Sequence, residues 1–251
     1  MTASPFEDLA DCYEALIDWP KRLTHEAPFY RRVFESVSAR HVLDAACGTG
    51  HHAALFHSWG LRVEGADISE SMLVRARDNF GQPAGLQWTR RGYSDPLEST
   101  RAFDVVLCVG NSLALAPDLQ TARAAVTRML DALRAGGAMV VHVLNLWRLT
   151  DGPCQWQKCV RTELEAGPVM IFKGVHRHGA TGYVDLVVSS VADTPVWRSD
   201  CVPFLGCEAA TLEQWAREGG ADTVEVYGSY HHEPYRRESS TDLIAVARKA
   251  H

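Results

Sequence analysis

No run of 18 apolar residues occurs in the 251-residue chain, so no membrane-spanning helix is expected. Basic residues are in deficit: 25 Lys and Arg stand against 31 Asp and Glu, a formal net charge of −6. Attachment to nucleic acid by charge usually requires the opposite balance, so no nucleic-acid partner is expected. The first nine residues carry Glu7 and Asp8 and no basic n-region. They do not read as a secretory signal, which makes a cytoplasmic location the expectation. The seven cysteines are odd in number and scattered, and none lies in a CxxC pair, which points to reduced thiols. Neither Cys154 with Cys159 nor Cys201 with Cys207 has a zinc spacing, and the adjacent His231, His232 and Glu233 are poorly placed to converge on one ion. No metal is expected. Internal repeats and low-complexity tracts are also missing.

What is present is ordinary for a globular protein, with 46% hydrophobic and 22% charged residues. Apolar periodicity predicts a helix over 24–39 capped by Thr24, then a buried strand over 41–46. A helix over 51–59, a strand over 62–66 and a helix over 69–79 capped by Ser69 follow. The run FDVVLCV predicts a strand over 103–109. Asp118 caps a helix whose stripe is Leu119, Ala122, Val126, Met129, Leu130 and Leu133, and Gly136-Gly137 end it before a strand over 138–144. This alternation implies a parallel sheet covered on both faces. From 169 to 204 the pattern changes to three strands separated by turns, which predicts an antiparallel cap. A helix from Thr211, with Gln214 completing a capping box, leads to two last strands over 223–227 and 242–248, expected as an antiparallel edge hairpin.

The segment Asp44-Ala45-Ala46-Cys47-Gly48-Thr49-Gly50 follows the first strand and opens a helix. Its glycines permit a sharp turn and close approach of a ligand, and the helix N-terminus adds amide donors. Asp67, at the end of the second strand, can accept hydrogen bonds from both hydroxyls of a ribose. Gly48-Thr49-Gly50-His51-His52-Ala53 also satisfies the dinucleotide pattern GxGxxG/A, so the turn alone leaves a nicotinamide nucleotide open. Against it, Asp44 would repel a pyrophosphate yet suits an ammonium group.

VLDAACGTG, the Asp67 acid, FDVVLCVGNS and LRAGGAMVV together resemble class I S-adenosylmethionine-dependent methyltransferases. LIDWPKRLTHEAPF, CVGNSLALAPD and the closing VEVYGSYHHEPYRRESSTDLIAVARK are similar to glycine/sarcosine N-methyltransferases. The likeness is weakest from about 147 to 206. It implies a Rossmann-like, doubly wound, mostly parallel seven-stranded α/β sheet with an antiparallel β cap insertion. Residues 1–147 would hold the N-terminal helix and the S-adenosylmethionine-binding core, 148–206 the substrate cap, and 207–251 the end of the core.

The resemblance implies that Arg22 grips the methionine carboxylate of S-adenosyl-L-methionine. Ala46 and Gly48 lie against the cofactor, Asp67 holds the ribose, and Ile68 and Met72 pack near the adenine. Gly92 and Tyr93 match the adenine-edge pair, and Val109 and Ser112 touch the methionine end. Asn111 matches a substrate-contacting asparagine, and Asn145 is retained at the end of the fourth core strand. His142, on that strand, is a candidate general base. The family's substrate-carboxylate arginine corresponds to Leu144 here. That change puts glycine or sarcosine in doubt and points to a more apolar acceptor.

Methyl transfer is an in-line displacement that needs positioning and water exclusion more than acid–base help when the acceptor is a neutral amine. The expectation is therefore a small-molecule N-methyltransferase, with homo-oligomers known among its relatives. An O- or S-methyltransferase, a non-catalytic S-adenosylmethionine-binding protein and a nicotinamide oxidoreductase are the alternatives.

Overall fold

A computed structural model describes residues 10–93, 95, 102–164 and 167–250. In chain order its elements are α1 (Ala10–Leu16), α2 (Trp19–Ser36), β1 (His41–Ala45), α3 (His51–Ser58), β2 (Arg62–Asp67), α4 (Glu70–Phe80) and β3 (Leu86–Arg90). There follow β4 (Phe103–Cys108), α5 (Leu119–Ala132), β5 (Leu133–Leu144), β6 (Gln155–Leu164), β7 (Gly167–His178), β8 (Thr181–Ser190) and β9 (Trp197–Leu205). α6 (Ala209–Glu218), β10 (Ala221–Tyr227) and β11 (Asp242–Lys249) close the described chain.

Seven strands form one sheet in the order β10-β11-β5-β4-β1-β2-β3. Strands β1 to β5 are mutually parallel, and β11 runs antiparallel to both of its neighbours. This is the doubly wound α/β architecture the strand–helix alternation predicts. Its strands can be almost wholly apolar because helices cover both faces: Val42 and Leu43 of β1 point to opposite faces and both are buried. One core lies between the sheet, α5 and α6, and contains Leu43, Val126, Met129, Leu130 and Trp215. The other lies under α2 and α3, around Phe29, Tyr30, Phe34 and Phe56. The order reverses between β1 and β4, and the crevice at their carboxyl ends is where open α/β sheets bind ligands.

Local signals explain most boundaries. Asp118 Oδ1 accepts from Thr121 N at 2.7 Å and caps α5. Ser69 caps α4 through Met72 N at 3.4 Å. Three expectations need correction. α2 begins at Trp19, five residues before Thr24. Asp18 caps it and Pro20 presets its first turn, while the Thr24 hydroxyl donates to Pro20 O within the helix. Gly136 and Gly137 do not precede the fourth core strand but belong to β5, which starts at Leu133 and crosses a register shift against β4. α6 starts at Ala209 with Glu208 at its N-cap and no side-chain cap bond, so the Thr211–Gln214 box does not form.

The second sheet is antiparallel, β6-β7-β8-β9. One face packs inward: Val169, Ile171 and Leu186 meet Cys12 and Leu16 of α1. Val175 and Phe204 join Leu113, Leu146 and Leu149 at the junction with the large sheet. Among the described residues no helix is long and apolar enough to cross a membrane.

Candidate functional site

Past β1 the backbone turns through Ala46, Gly48 and Gly50, all at positive φ (65°, 55° and 87°). Gly50 is required twice over: its φ is left-handed, and a Cβ there would lie 2.6 Å from Cη2 of Trp88. Ala46 adopts the same region despite its methyl group, which costs of order 1 kcal/mol and marks a position fixed by its surroundings. The turn is held from β2. Asp67 Oδ2 accepts from Gly48 N at 2.8 Å, and Oδ1 accepts from Ser69 N at 2.9 Å. Each oxygen keeps a lone pair for a ligand hydroxyl. Burial raises the Asp67 carboxyl above the usual range, and these backbone donors oppose the rise.

Asp44 lies behind the turn with 1% of its surface exposed, and neither carboxylate oxygen has a hydrogen-bond partner of good geometry. Burial first, and then neighbouring Asp67, push it up to about 7; the Ala53 backbone N–H and the Arg22 charge ease this only in part. A buried acceptor without a well-formed donor is costly.

Arg22 of α2 reaches the same region. Its Nε donates to Glu26 Oε1 at 2.7 Å, and Nη2 lies 3.7 Å from where a Cβ of Gly110 would be. Glu26 is buried and also receives His52 Nε2 at 2.7 Å and the Tyr30 hydroxyl at 3.0 Å. Although burial acts upward, the His52 and Arg22 contacts outweigh it and hold Glu26 down at about 2. The guanidinium is thus anchored on its Nε side. His51, on the first turn of α3, stacks on Trp19 at 4.1 Å and bonds Glu14 at 3.1 Å.

Past the end of β4 the chain passes through Val109, Gly110 (φ 76°), Asn111 (φ 73°) and Ser112. Ser112 Oγ donates to Val109 O at 2.9 Å. Asn111 tolerates the left-handed region, and its Oδ1 accepts from Leu144 N at 2.9 Å. His142 Nδ1 accepts from Gly110 N at 3.1 Å, which leaves Nε2–H to donate to Asp242 Oδ1 at 3.0 Å. Both ring nitrogens are therefore engaged and the tautomer is fixed. Asn145 is fully buried, and its amide is fully used. Nδ2 donates to Arg237 O and Ser240 O at 2.8 and 2.7 Å, while Oδ1 accepts from Trp147 N and Tyr235 Oη at 3.2 and 3.0 Å.

Beyond Asp67 the lining mixes apolar and charged side chains. Ile68 is 61% exposed directly after Asp67, and its Cδ1 lies 3.6 Å from where a Cβ of Gly92 would be. Met72 is buried beneath the Ser69 cap. Tyr93 and Gly92 line a small cavity together with Ala45, Ala66 and Asp95. Gly92 N donates to Asp95 Oδ2 at 2.8 Å.

The expected cofactor residues come together in three places. Gly48 joins Asp67, Ile68 meets Gly92, and Arg22 meets the Gly110 turn between Val109 and Ser112. Glu26 and Asp95 were not anticipated. Glu26 sits four residues after Arg22, a helical ion-pair spacing that was visible in the sequence. Asp95 lies in a segment without periodicity.

Residues 42–137 match the family model described as a methyltransferase domain. More particularly, the chain is similar to the glycine/sarcosine N-methyltransferase of Parasynechococcus marenigrum, 30% identical over 183 residues. That match covers 68% of this chain and 63% of the relative, so the chain spans under two thirds of it. In structure it is similar to the CcbJ methyltransferase from Streptomyces caelestis, with a TM-score of 0.79, 20% identity and 99% of each chain covered. It is also similar to the sugar N-methyltransferase KedS8 from Streptoalloteichus, with a TM-score of 0.72, 24% identity, and 90% and 87% covered. At those identities the structural likeness shows the fold.

Proposed function

We propose that this protein transfers a methyl group from S-adenosyl-L-methionine to the nitrogen of a small amine. The bound cofactor supplies an electrophilic sulfonium methyl. Asp44 would face its ammonium group, Arg22 its carboxylate, Asp67 the ribose hydroxyls, and Ile68, Met72, Gly92 and Tyr93 the adenine. The observation that carries the choice of an amine is His142. With Nδ1 held by Gly110 and Nε2–H held by Asp242, it is not free to take a proton from a hydroxyl or thiol. An amine that arrives neutral needs no such base. His142 and Asn145 then act as positioning residues that fix the turn after β4 and the segment after β10, and Asn111 borders the acceptor.

Titrating S-adenosylhomocysteine and, separately, NADH into wild type and Asp67→Ala tests the cofactor assignment. S-adenosylhomocysteine should bind wild type and bind the variant about 100-fold more weakly, about 2.7 kcal/mol. Preferential binding of NADH would sink the proposal.

The inner face of the cap supports a finer reading of the acceptor. Lys173 on β7 lies directly opposite Lys158 on β6. Lys158 Nζ is drawn away to Leu16 O at 2.5 Å. Lys173 has no acid partner among the described residues; burial, then the charges of Lys158 and Arg22, lower its pKa. Like charges facing each other across strands are destabilising, and an anionic ligand would relieve that repulsion. The acceptor is then an amine that also carries an acidic group, with Lys173 in place of the cation lost at Leu144. Lys173→Met should raise KM for such an acceptor about tenfold or more while kcat holds, because a charge-assisted hydrogen bond is worth about 1.5–3 kcal/mol. An unchanged KM for every acidic amine tried would exclude this role.

A further inference from the structure

The outer face of the cap carries a second cluster, remote from the methyl-transfer crevice. Side chains alternate across a strand, so Val175 faces inward and its neighbour His176 faces outward. On that outer face the ligand atoms of Cys154, His176 and Asp185 all lie within 4.8 Å of one another. His176 Nδ1 stands 2.7 Å from Asp185 Oδ2, and the imidazole is steadied by stacking on Tyr183 at 4.8 Å. Cys201 of β9 is directly opposite Asp185 in the register of β8 and β9. On the other side of Asp185 the register places Gly174 of β7. A Cβ on Gly174 would overlap the sulfur of Cys154 and crowd the ring of Trp156, so the absence of a side chain there makes the seat for the Cys154 thiol.

A thiol from the residue leading into β6 and an imidazole from β7 thus converge on one carboxylate of β8, and a second thiol stands across from it on β9. Nothing in the sequence spacing announces the group: the cysteines that share this face with Asp185 are Cys154 and Cys201, 47 positions apart, and not the pairs five or six residues apart.

We propose that Cys154, His176, Asp185 and Cys201 form a structural zinc site that clamps the strands of the cap. Two thiolates, an imidazole and a carboxylate are a closed tetrahedral donor set for a borderline-soft divalent ion. Zinc bond lengths imply donor separations of about 3.3–3.8 Å, so side-chain shifts of about an ångström bring Cys154, His176 and Asp185 to metal geometry, and Cys201 swings in from its place across from Asp185 to complete the set. Binding replaces the two S–H bonds by two metal–sulfur bonds and releases two protons to solvent. The imidazole coordinates through Nδ1 in its neutral form, and the ion keeps its charge state. With four protein ligands no position is left for substrate, so the site stabilises the cap and takes no part in methyl transfer.

The test uses the full chain, stripped with chelator under a phosphine reductant and titrated with Co2+ as the optical probe. One equivalent should bind, giving the visible bands of tetrahedral cobalt and a near-ultraviolet thiolate charge-transfer band, and Zn2+ should displace it. Cys154→Ser and Cys201→Ser should each weaken binding by more than about 100-fold, beyond the 10–100-fold typical of losing an outer-shell partner. Cys159→Ser, on β6 but outside the cluster, should bind like wild type. Asp185→Asn provides a variant that keeps both thiols, and circular dichroism checks that each protein is folded. Absence of the charge-transfer band in folded wild type overturns the proposal. So does equal binding by the Cys154 and Cys201 variants, or a Cys154–Cys201 disulfide as the stable form under reductant. S-adenosylhomocysteine affinity is measured in parallel; it should be unchanged in all these variants, so failure here leaves the methyl-transfer proposal standing.

Discussion

Asp44→Asn should make the ligand-free protein more stable at pH 8 and at the same time cripple its hold on S-adenosylhomocysteine. The carboxylate is buried without a well-formed partner, and its pKa of about 7 lies far above the ordinary 3.8. Between those two values the folded state binds a proton that the unfolded state does not. Stability must therefore fall as pH rises from about 4 through 7, the reverse of the usual behaviour of a paired carboxylate. At pH 8 the wild-type fold bears most of the cost of a buried charge. Removing it should add on the order of 2–4 kcal/mol, seen in chemical denaturation as a higher midpoint with an unchanged slope. In that pH window the variant should also lose most of the wild-type pH dependence. Binding should move the other way. The ligand ammonium requires the ionised carboxylate, so wild-type affinity should decline below about pH 7, and the variant should bind weakly at every pH. A variant that is less stable at pH 8 would mean that the charge is satisfied. Unchanged S-adenosylhomocysteine affinity would mean that Asp44 does not face the ammonium.

Asn145→Ala should cost about 3 kcal/mol or more of unfolding free energy, because it strands four hydrogen-bond partners of one fully buried amide at once. Two are backbone carbonyls of the segment between β10 and β11, which the amide pins to the end of β5. Asn145→Asp should fare little better, since it replaces a double donor with an acceptor facing two carbonyl oxygens. Urea unfolding together with initial rates at low temperature separates the roles. A positioning residue loses stability and kcat/KM together. A residue used only on the acceptor would lose rate in a fold of wild-type stability, and that outcome would return Asn145 to catalysis.

The two positions show how far the sequence could be read. Each is recognisable by type: an acid ahead of a glycine turn, and an asparagine after an apolar strand. What the amide of Asn145 does was not legible, because its partners Arg237 and Ser240 lie 92 and 95 residues away. The parallel core was legible because two-sided burial forces continuous apolar runs such as FDVVLCV, and because caps such as Asp118 act locally. β6 was missed for the opposite reason. Its side chains are mostly exposed, so QWQKCVRTEL lacks the apolar signal of a packed strand. β3 is short, and only Leu86 and Trp88 of its five residues are buried. At α2 the expected cap, Thr24, falls inside the helix, because Asp18 with a proline in the first turn starts it earlier. Lys173 escaped notice because a lone lysine in a strand carries no mark of the face it occupies until the cross-strand register is known.

The antiparallel strand β11 has a consequence for how the molecule comes into being. It is the last described strand along the chain, yet it sits between β5 and β10 rather than at the rim. While the chain is being synthesised, one hydrogen-bonding edge of β5 stays bare until Asp242–Lys249 has emerged, some 100 residues after β5 itself. An unpaired edge of that kind is open to wrong partners during vectorial synthesis. The same strand delivers Asp242, which holds the His142 ring against the Gly110 turn. The glycine turn after β1 is thus laid down early, whereas the far wall of the crevice is set only when the final strand slots in.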